Sequence, residues 1–267
     1  MQPLITIKEH TILQSATAAV EISIDLGRSM STVEVRDKVW TWQDRSYPLM
    51  QSCKDRTIYY WDEDSFQPVS RYSTSLIKLV PTEWGAPTFE IDGIKMLPTA
   101  QLSPYVDAEQ KVNLIQPQGK VILDTCGGLG YFASWCLQNN AQRIQSYEKN
   151  PDVIWLRELN PWSPRADSRL SLTPGDVAQE IIHLPSASVD AILHDPPRFG
   201  IAGELYSQMF YDHLARVLRP RGKLFHYTGT PNRLTSGRDV PNEVAVRLRR
   251  AGFKANLQGD GVLAVKT

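Results

Sequence analysis

The sequence predicts an α/β protein in which a small antiparallel β domain, residues 1–105, precedes a doubly wound, mostly parallel sheet, residues 106–267. Three observations carry this. Up to about residue 105, apolar and polar residues alternate in short runs separated by turn residues, the period of half-buried antiparallel strands. Beyond it, short apolar runs alternate with segments of helical period, which implies parallel strands joined by crossover helices. Finally, DTCGGLGYFA at 124–133 places a glycine loop where the first of these strands turns into a helix.

In the first half, AAVEISIDLG alternates, and STVEVRDKVWTW sets Val33 and Val35 opposite Glu34 and Arg36. TIYYWDEDSFQPV reads as two strands around the acidic turn Asp62 to Asp64, and SLIKLVPT and PTFEIDGIKML continue the pattern. Trp40, Trp42, Tyr59, Tyr60 and Trp61 are expected to pack, because aromatic residues favour strands for packing alone. In the second half KVILD is followed by YFASWCLQN, RIQSYE by PDVIWLRELN and SLTPGD by VAQEIIHL. VDAILHD then precedes ELYSQMFYDHLARVL, and KLFHYT precedes VPNEVAVRLRRAG. In the longest helix Phe210, Leu214 and Val217 share one face, and Gly222 is expected soon after its end. FKANLQ and GVLAVK stand too close for a crossover helix, so they are expected to pair antiparallel through the GDG turn.

With 42% apolar and 22% charged residues over 267 positions, the chain is an ordinary globular protein. Its 29 basic and 29 acidic side chains cancel, so charge does not point to a nucleic acid, which stays an option without support, or to an acidic membrane. Cys53, Cys126 and Cys136 lack the CxxC spacing of metal or redox sites, which fits a reducing compartment without a disulfide framework. MQPLITIKEH lacks the charge and apolar length of a secretion signal, and no run nears the ~18 apolar residues of a membrane span. The expectation is a cytoplasmic protein; oligomeric state is not indicated.

Gly128, Gly130 and Ala133 satisfy GxGxxA, the dinucleotide fingerprint, with Glu148 ending the next strand about twenty residues on. On spacing alone this fits a NAD enzyme. Electrostatics separates the candidates, since a carboxylate at Asp124 would repel a pyrophosphate but attract an ammonium or sulfonium. S-adenosyl-L-methionine carries both cations and no phosphate. Glu148 suits either ligand, because a carboxylate accepts hydrogen bonds from ribose hydroxyls.

DxCxGxG at 124–130, Glu148 ending the second strand, Gly175-Asp176 ending the third and Asp195-Pro196-Pro197 ending the fourth resemble the motif series of class I S-adenosylmethionine-dependent methyltransferases. The resemblance implies a Rossmann-like methyltransferase sheet following the β domain, with S-adenosyl-L-methionine as cofactor. In that family the glycine loop passes under the methionine part, the acid after the second strand holds the ribose, and the acid after the third contacts the adenine amino group. Carried over, these positions are Gly128 and Gly130, Glu148, and Asp176 with Val177; Asp124, Cys126, Tyr131, Lys149 and Asp195 complete the expected cofactor-binding set. Cys126 stands where the family usually has glycine. HDPPRFGIAGELYS, LFHYTGTPN, LNPWS at 159–163 and VPTEWGAPTFEIDGIKM also resemble a group of predicted methyltransferases related to spermidine synthase.

In amino-methylating relatives an Asp-Pro-Pro turn aligns the substrate amine. The resemblance assigns that role to Asp195 and the carbonyl of Pro196, with the prolines stiffening the turn and offering no competing N–H. The family's fourth position is typically aromatic; here it is Arg198, followed by Phe199, which suggests either a clamp for a carboxylate or phosphate or a surface ion pair. The same string resembles RNA methyltransferases that make 5-methylcytosine, but those need a thiolate at the fourth or fifth strand end, and Cys126 and Cys136 lie elsewhere. Of His226 and Tyr227, one should face outward and one inward; Tyr227 is expected to bond substrate or Asp195, and His194 and His226 are read as bases or as packing. Arg233 and Arg238, in the polar segment 228–241, are further candidates for an anionic substrate. The leading expectation is therefore a transferase that methylates nitrogen of a small substrate, anionic in one version, through Asp195, Pro196, Arg198 and Tyr227. Alternatives are an RNA or protein methyltransferase, an aminopropyltransferase of the spermidine synthase type and, third, a dehydrogenase.

Overall fold

The alternation of the first half becomes short strands in a computed structural model that describes residues 2–229 and 239–267. The chain forms two compact units, Met1–Asp107 with Glu158–Trp162, and Ala108–Arg157 with Ser163–Thr267. The first contains β1 (Leu4–Ile5), α1 (Ile7–Ser15), β2 (Val20–Ile22), β3 (Ser31–Arg36), β4 (Val39–Trp42), β5 (Arg45–Pro48), β6 (Tyr59–Asp62), β7 (Ser65–Pro68), β8 (Ser70–Tyr72), β9 (Leu76–Val80), β10 (Thr88–Ile91) and β11 (Ile94–Lys95). They make three antiparallel sheets, ordered β2-β3-β4-β5, β1-β6-β7 and β11-β10-β9-β8. Val33 and Val35 turn inward with Ile22, Ile24, Trp40 and Tyr47, and the Trp40 and Tyr47 rings stack 4.6 Å apart.

The sequence reading overlooked α1. Only Glu9 and Leu13 of this helix are buried, so its apolar stripe is too thin to show a period. Its start is nevertheless written in TIKE: the Thr6 hydroxyl accepts the Lys8 N–H, and the Glu9 carboxylate accepts the Thr6 N–H at 3.1 Å. A second helix, α2 (Pro104–Ile115), starts on a proline suited to a first turn and buries Ala108, Val112 and Ile115 at helical spacing.

The second unit continues with β12 (Val121–Asp124), α3 (Tyr131–Gln138), β13 (Arg143–Glu148), α4 (Pro151–Leu159), β14 (Leu170–Pro174), α5 (Val177–Glu180), β15 (Val189–His194), α6 (Gln208–Val217), β16 (Leu218–Tyr227), α7 (Val240–Arg250), β17 (Phe253–Gln258) and β18 (Gly261–Lys266). Single 3-10 turns at Ile181–His183 and Gly203–Tyr206 follow α5 and precede α6. The runs VILD and VDAILH are buried along most of their length, as parallel strands covered on both faces must be. The seven strands lie in the order β14-β13-β12-β15-β16-β18-β17, all parallel except that β18 is antiparallel to both its neighbours. A two-residue Gly259-Asp260 turn joins β17 to β18.

One detail differs from expectation. Leu218 enters β16 directly after α6 and pairs with Val189, and a register shift before Ala191 absorbs the intervening residues, so Gly222 lies within the strand and caps nothing. Asp124, Glu148, Pro174, His194 and Tyr227 all close their strands at one edge of the sheet. Strand order reverses there between β12 and β15, where open α/β sheets bind ligands. Among the described residues, no helix is long and apolar enough to cross a membrane.

Candidate functional site

The glycine loop is stitched to both neighbouring strands. Thr125 N–H donates to the Leu193 carbonyl at 3.1 Å, and Gly127 N–H to the Tyr147 carbonyl at 2.7 Å. Gly130, at φ +81°, is the left-handed residue from which α3 starts. The Glu148 carboxylate then closes the loop, accepting the Gly128 N–H on Oε2 and the Asn150 N–H on Oε1, each at 2.9 Å. Burial pushes the Glu148 pKa up, while these N–H groups and Arg157 pull it down. Asp176 caps α5 by accepting the Ala178 N–H at 3.0 Å and pairs with the Lys149 ammonium at 3.1 Å. The edge of β13 and β14 thus presents two fixed carboxylates, with an exposed Lys149 tied to one of them.

Not every expected residue lies open on this edge. Asp124 is fully enclosed, accepting the Ser146 hydroxyl at 2.8 Å on Oδ2, while Oδ1 has no hydrogen-bond partner; burial pushes its carboxyl up to about 6. The charge expected to meet a bound cation directly therefore sits beneath the loop, because the β12–β13 pairing turns it onto Ser146. Val177 and Tyr131 are each only 4% exposed, so the Val177 side chain belongs to the core and leaves its backbone at the edge. Cys126 is half-buried, and burial, then Glu148, then Asp195 and Asp124 raise its thiol pKa well above the ordinary value. That environment disfavours a thiolate.

HDPPRFG closes β15 as a braced turn. The Tyr206 hydroxyl donates to the Pro197 carbonyl at 3.1 Å, the Phe199 ring meets the Tyr206 ring edge-on at 5.5 Å, and the Arg198 carbonyl accepts the N–H groups of Ile201 and Ala202. Pro196 is buried and Asp195 and Arg198 are half-buried. His194 is wholly enclosed: Nε2 faces the Leu205 carbonyl at 3.1 Å, and Nδ1 faces the Thr125 hydroxyl at 2.7 Å. A carbonyl can only accept, so Nε2 carries the proton and Nδ1 accepts from Thr125. His226 is its partner across the strands, with Nδ1 against the Tyr227 carbonyl at 2.8 Å and Nε2 against the Tyr211 hydroxyl at 2.9 Å. Both imidazoles are engaged at both nitrogens, contacts that favour the packing alternative over the reading as bases.

Burial lowers both histidines, His226 to about 4 and His194 well below the ordinary imidazole value. The neutral form is the folded form, so stability from this source is complete above the unfolded value near 6.5 and is lost as pH falls toward 4. We therefore expect the stability gap between wild type and His226→Phe, measured by urea unfolding, to narrow by about 1.4 kcal/mol per pH unit from pH 6.5 to 4. A gap independent of pH would show that His226 is not held neutral.

Tyr227 is half-buried where its neighbour His226 is enclosed, the alternation expected of a strand. Two cations that the sequence reading missed lie against site residues. Lys111 of α2, 4% exposed, sets its ammonium 3.8 Å from the centre of the Tyr227 ring and 3.5 Å from the Asp260 carboxylate. Arg157 of α4 is 6% exposed and lies near both Asp124 and Glu148. Its signal was available: Val153, Leu156 and Arg157 fall on one helix face, so an arginine occupies a core position. Arg233 and Arg238 lie outside the described residues.

No family model matches the chain. Uncharacterized protein MJ1233 of Methanocaldococcus jannaschii is 35% identical over 268 residues, covering 96% of this chain and 92% of that protein. Polyamine aminopropyltransferase 2 of Streptomyces coelicolor is 30% identical over 122 residues, which span 42% of this chain but only 22% of that protein. Histone-arginine methyltransferase CARMER of Drosophila ananassae is 28% identical over 113 residues, 20% of its length. Among solved structures, spermidine synthase in complex with a transition-state analogue superposes with a TM-score of 0.62 at 18% identity, covering 74% of this chain and 73% of that one. Strand order and fold likeness define the class, a Rossmann-like α/β fold shared with spermidine synthase. Within it, the chain belongs to the family of uncharacterized protein MJ1233.

Proposed function

We propose that this chain is an S-adenosylmethionine-dependent methyltransferase that acts on a nitrogen of a small substrate bearing negative charge. The observation that carries the reading is the Asp195-Pro196-Pro197 turn, braced by Tyr206 and His194 at the strand-order reversal and adjoining the glycine loop. The groups at this edge fit the cofactor: Glu148 and Asp176 offer carboxylate oxygens to hydroxyl and amino groups. A pyrophosphate would meet these same negative charges, with Lys149 already paired to Asp176.

When bound, S-adenosylmethionine supplies a methyl group activated by a sulfonium. Glu148 would hold the ribose hydroxyls, Asp176 the adenine amino group, and the loop from Cys126 to Gly130 would lie under the methionine part. Asp195 and the Pro196 carbonyl accept hydrogen bonds from the substrate amine, aim its lone pair and leave Asp195 as acceptor for the departing proton. Proline at 196 and 197 removes two N–H donors that would compete for those oxygens. Arg198 supplies the cation for a substrate carboxylate or phosphate, and Tyr227 offers a hydroxyl from the end of β16.

The fold of spermidine synthase and the match to an aminopropyltransferase favour a second reading, aminopropyl transfer. Against it, the loop CGGLGY lacks the acidic residue that the resemblance to spermidine synthases would require. Calorimetric titration decides between them. Tighter binding of S-adenosylmethionine than of its decarboxylated form is expected, and the reverse preference would replace methyl transfer by aminopropyl transfer.

A further inference from the structure

Beneath the glycine loop lies a cation that the proposed chemistry does not use. Arg157 is enclosed, and its guanidinium packs where two side chains of the loop would otherwise be. A Cβ at Gly130 would come 2.6 Å from Arg157 Cζ and 2.8 Å from Pro164 Cδ. A Cβ at Gly127 would come 3.0 Å from Arg157 Nη1 and would also run into Ser146 Oγ. At Gly130 glycine is therefore demanded by the protein's own arginine, and at Gly127 by Ser146 Oγ first and the arginine second. Around the guanidinium, Nη1 is 3.5 Å from Ser146 Oγ, which donates to Asp124 at 2.8 Å. The Ser163 hydroxyl holds the Leu129 carbonyl at 2.7 Å, fixing the far side of the same loop.

An enclosed charge is costly unless opposite charges offset it. Those charges come from β12 and β13: Asp124 and Glu148 both act on Arg157, while Cys126, Cys136 and Asp195 are further titratable groups around the loop. We propose that Arg157 is the positioning residue of this site, backing the loop at Gly127 and Gly130 and offsetting Asp124 and Glu148, so that loop and Glu148 carboxylate stand ready before any ligand arrives. Arg157 acts through Glu148 and the loop and touches no ligand itself. The inference builds on the reading of this edge as the S-adenosylmethionine site, but its structural half concerns the free protein.

Two measurements on wild type, Arg157→Met and Arg157→Lys separate these parts. In the free protein, hydrogen exchange in peptides covering residues 124–131 should quicken in Arg157→Met, with peptides of β15 and β16 unchanged. Titration with S-adenosylmethionine should show an affinity lower by on the order of tenfold, the scale on which groups behind a binding residue act. The acid limb of binding should move up in Arg157→Met, because Asp124 and Glu148 lose the cation that favours their charged forms, and stay near wild type in Arg157→Lys. Merely weakened folding would lower affinity without moving that limb. If Arg157→Met does not fold, Arg157→Lys carries the exchange comparison, since it loses the planar group that fills the space behind Gly130. Loop exchange equal to wild type in the folded variants, or affinity loss with an unmoved acid limb, overturns the positioning role. Failure of wild type itself to bind S-adenosylmethionine overturns the reading of the edge, and the exchange result still decides whether Arg157 holds the loop.

Discussion

Asp195→Ala loses turnover by at least about a hundredfold while keeping its affinity for S-adenosylmethionine. The separation follows from what else holds the turn. His194 remains bonded to Thr125 and Leu205, and Tyr206 still donates to the Pro197 carbonyl, so the backbone of residues 194–198 keeps its bracing without the carboxylate. What disappears is the acceptor that aims the substrate amine, an interaction needed most in the transition state, so kcat should fall more than KM rises. Arg198→Met in the same assay should divide the other way, raising KM with kcat nearly intact, if the guanidinium only anchors a negative group of the substrate. Turnover unchanged in Asp195→Ala would reduce HDPPRFG to a strand-ending turn. An unchanged KM in Arg198→Met would remove the anionic substrate.

Glu148→Gln weakens S-adenosylmethionine binding by about tenfold to a hundredfold, more than its near-identical shape suggests. Each Glu148 oxygen already accepts a backbone N–H, from Gly128 and Asn150 at 2.9 Å. A carboxylate can accept at both ends, whereas an amide has only one accepting end and must turn its NH2 toward a donor. The substitution thus sets two donors against each other at the point where the loop is closed, and an unsatisfied enclosed donor costs about 1–3 kcal/mol. It also removes the charge that makes hydrogen bonds from hydroxyl groups strong. Calorimetry of the variant checks this, and wild-type affinity in Glu148→Gln would mean that the ligand does not depend on this carboxylate.

Much of this arrangement was legible in the sequence for a physical reason. Parallel strands buried on both faces appear as short apolar runs, and the polar residue ending each run, at Asp124, Glu148 and His194, marks the same sheet edge. What stayed hidden depends on tertiary placement. The period of α1 is invisible because only Glu9 and Leu13 are buried, although its capping box stands in the letters TIKE. Asp124 reads as a ligand contact until the β12–β13 register turns it onto Ser146. His194 and His226 could be bases or packing by composition alone, and only the fold shows that all four ring nitrogens already have partners. Lys111 and Arg157 belong to helices whose other inward residues are apolar, and nothing local tells which strand end such a cation will meet.

The edge formed by the glycine loop, Glu148 and Asp176 is the proposed S-adenosylmethionine site. The most direct test is calorimetric titration of the wild-type protein with S-adenosylmethionine and, separately, with NADH. Saturable binding of S-adenosylmethionine at one site per chain, with none for NADH, is the predicted result; tight NADH binding without binding of S-adenosylmethionine would contradict it.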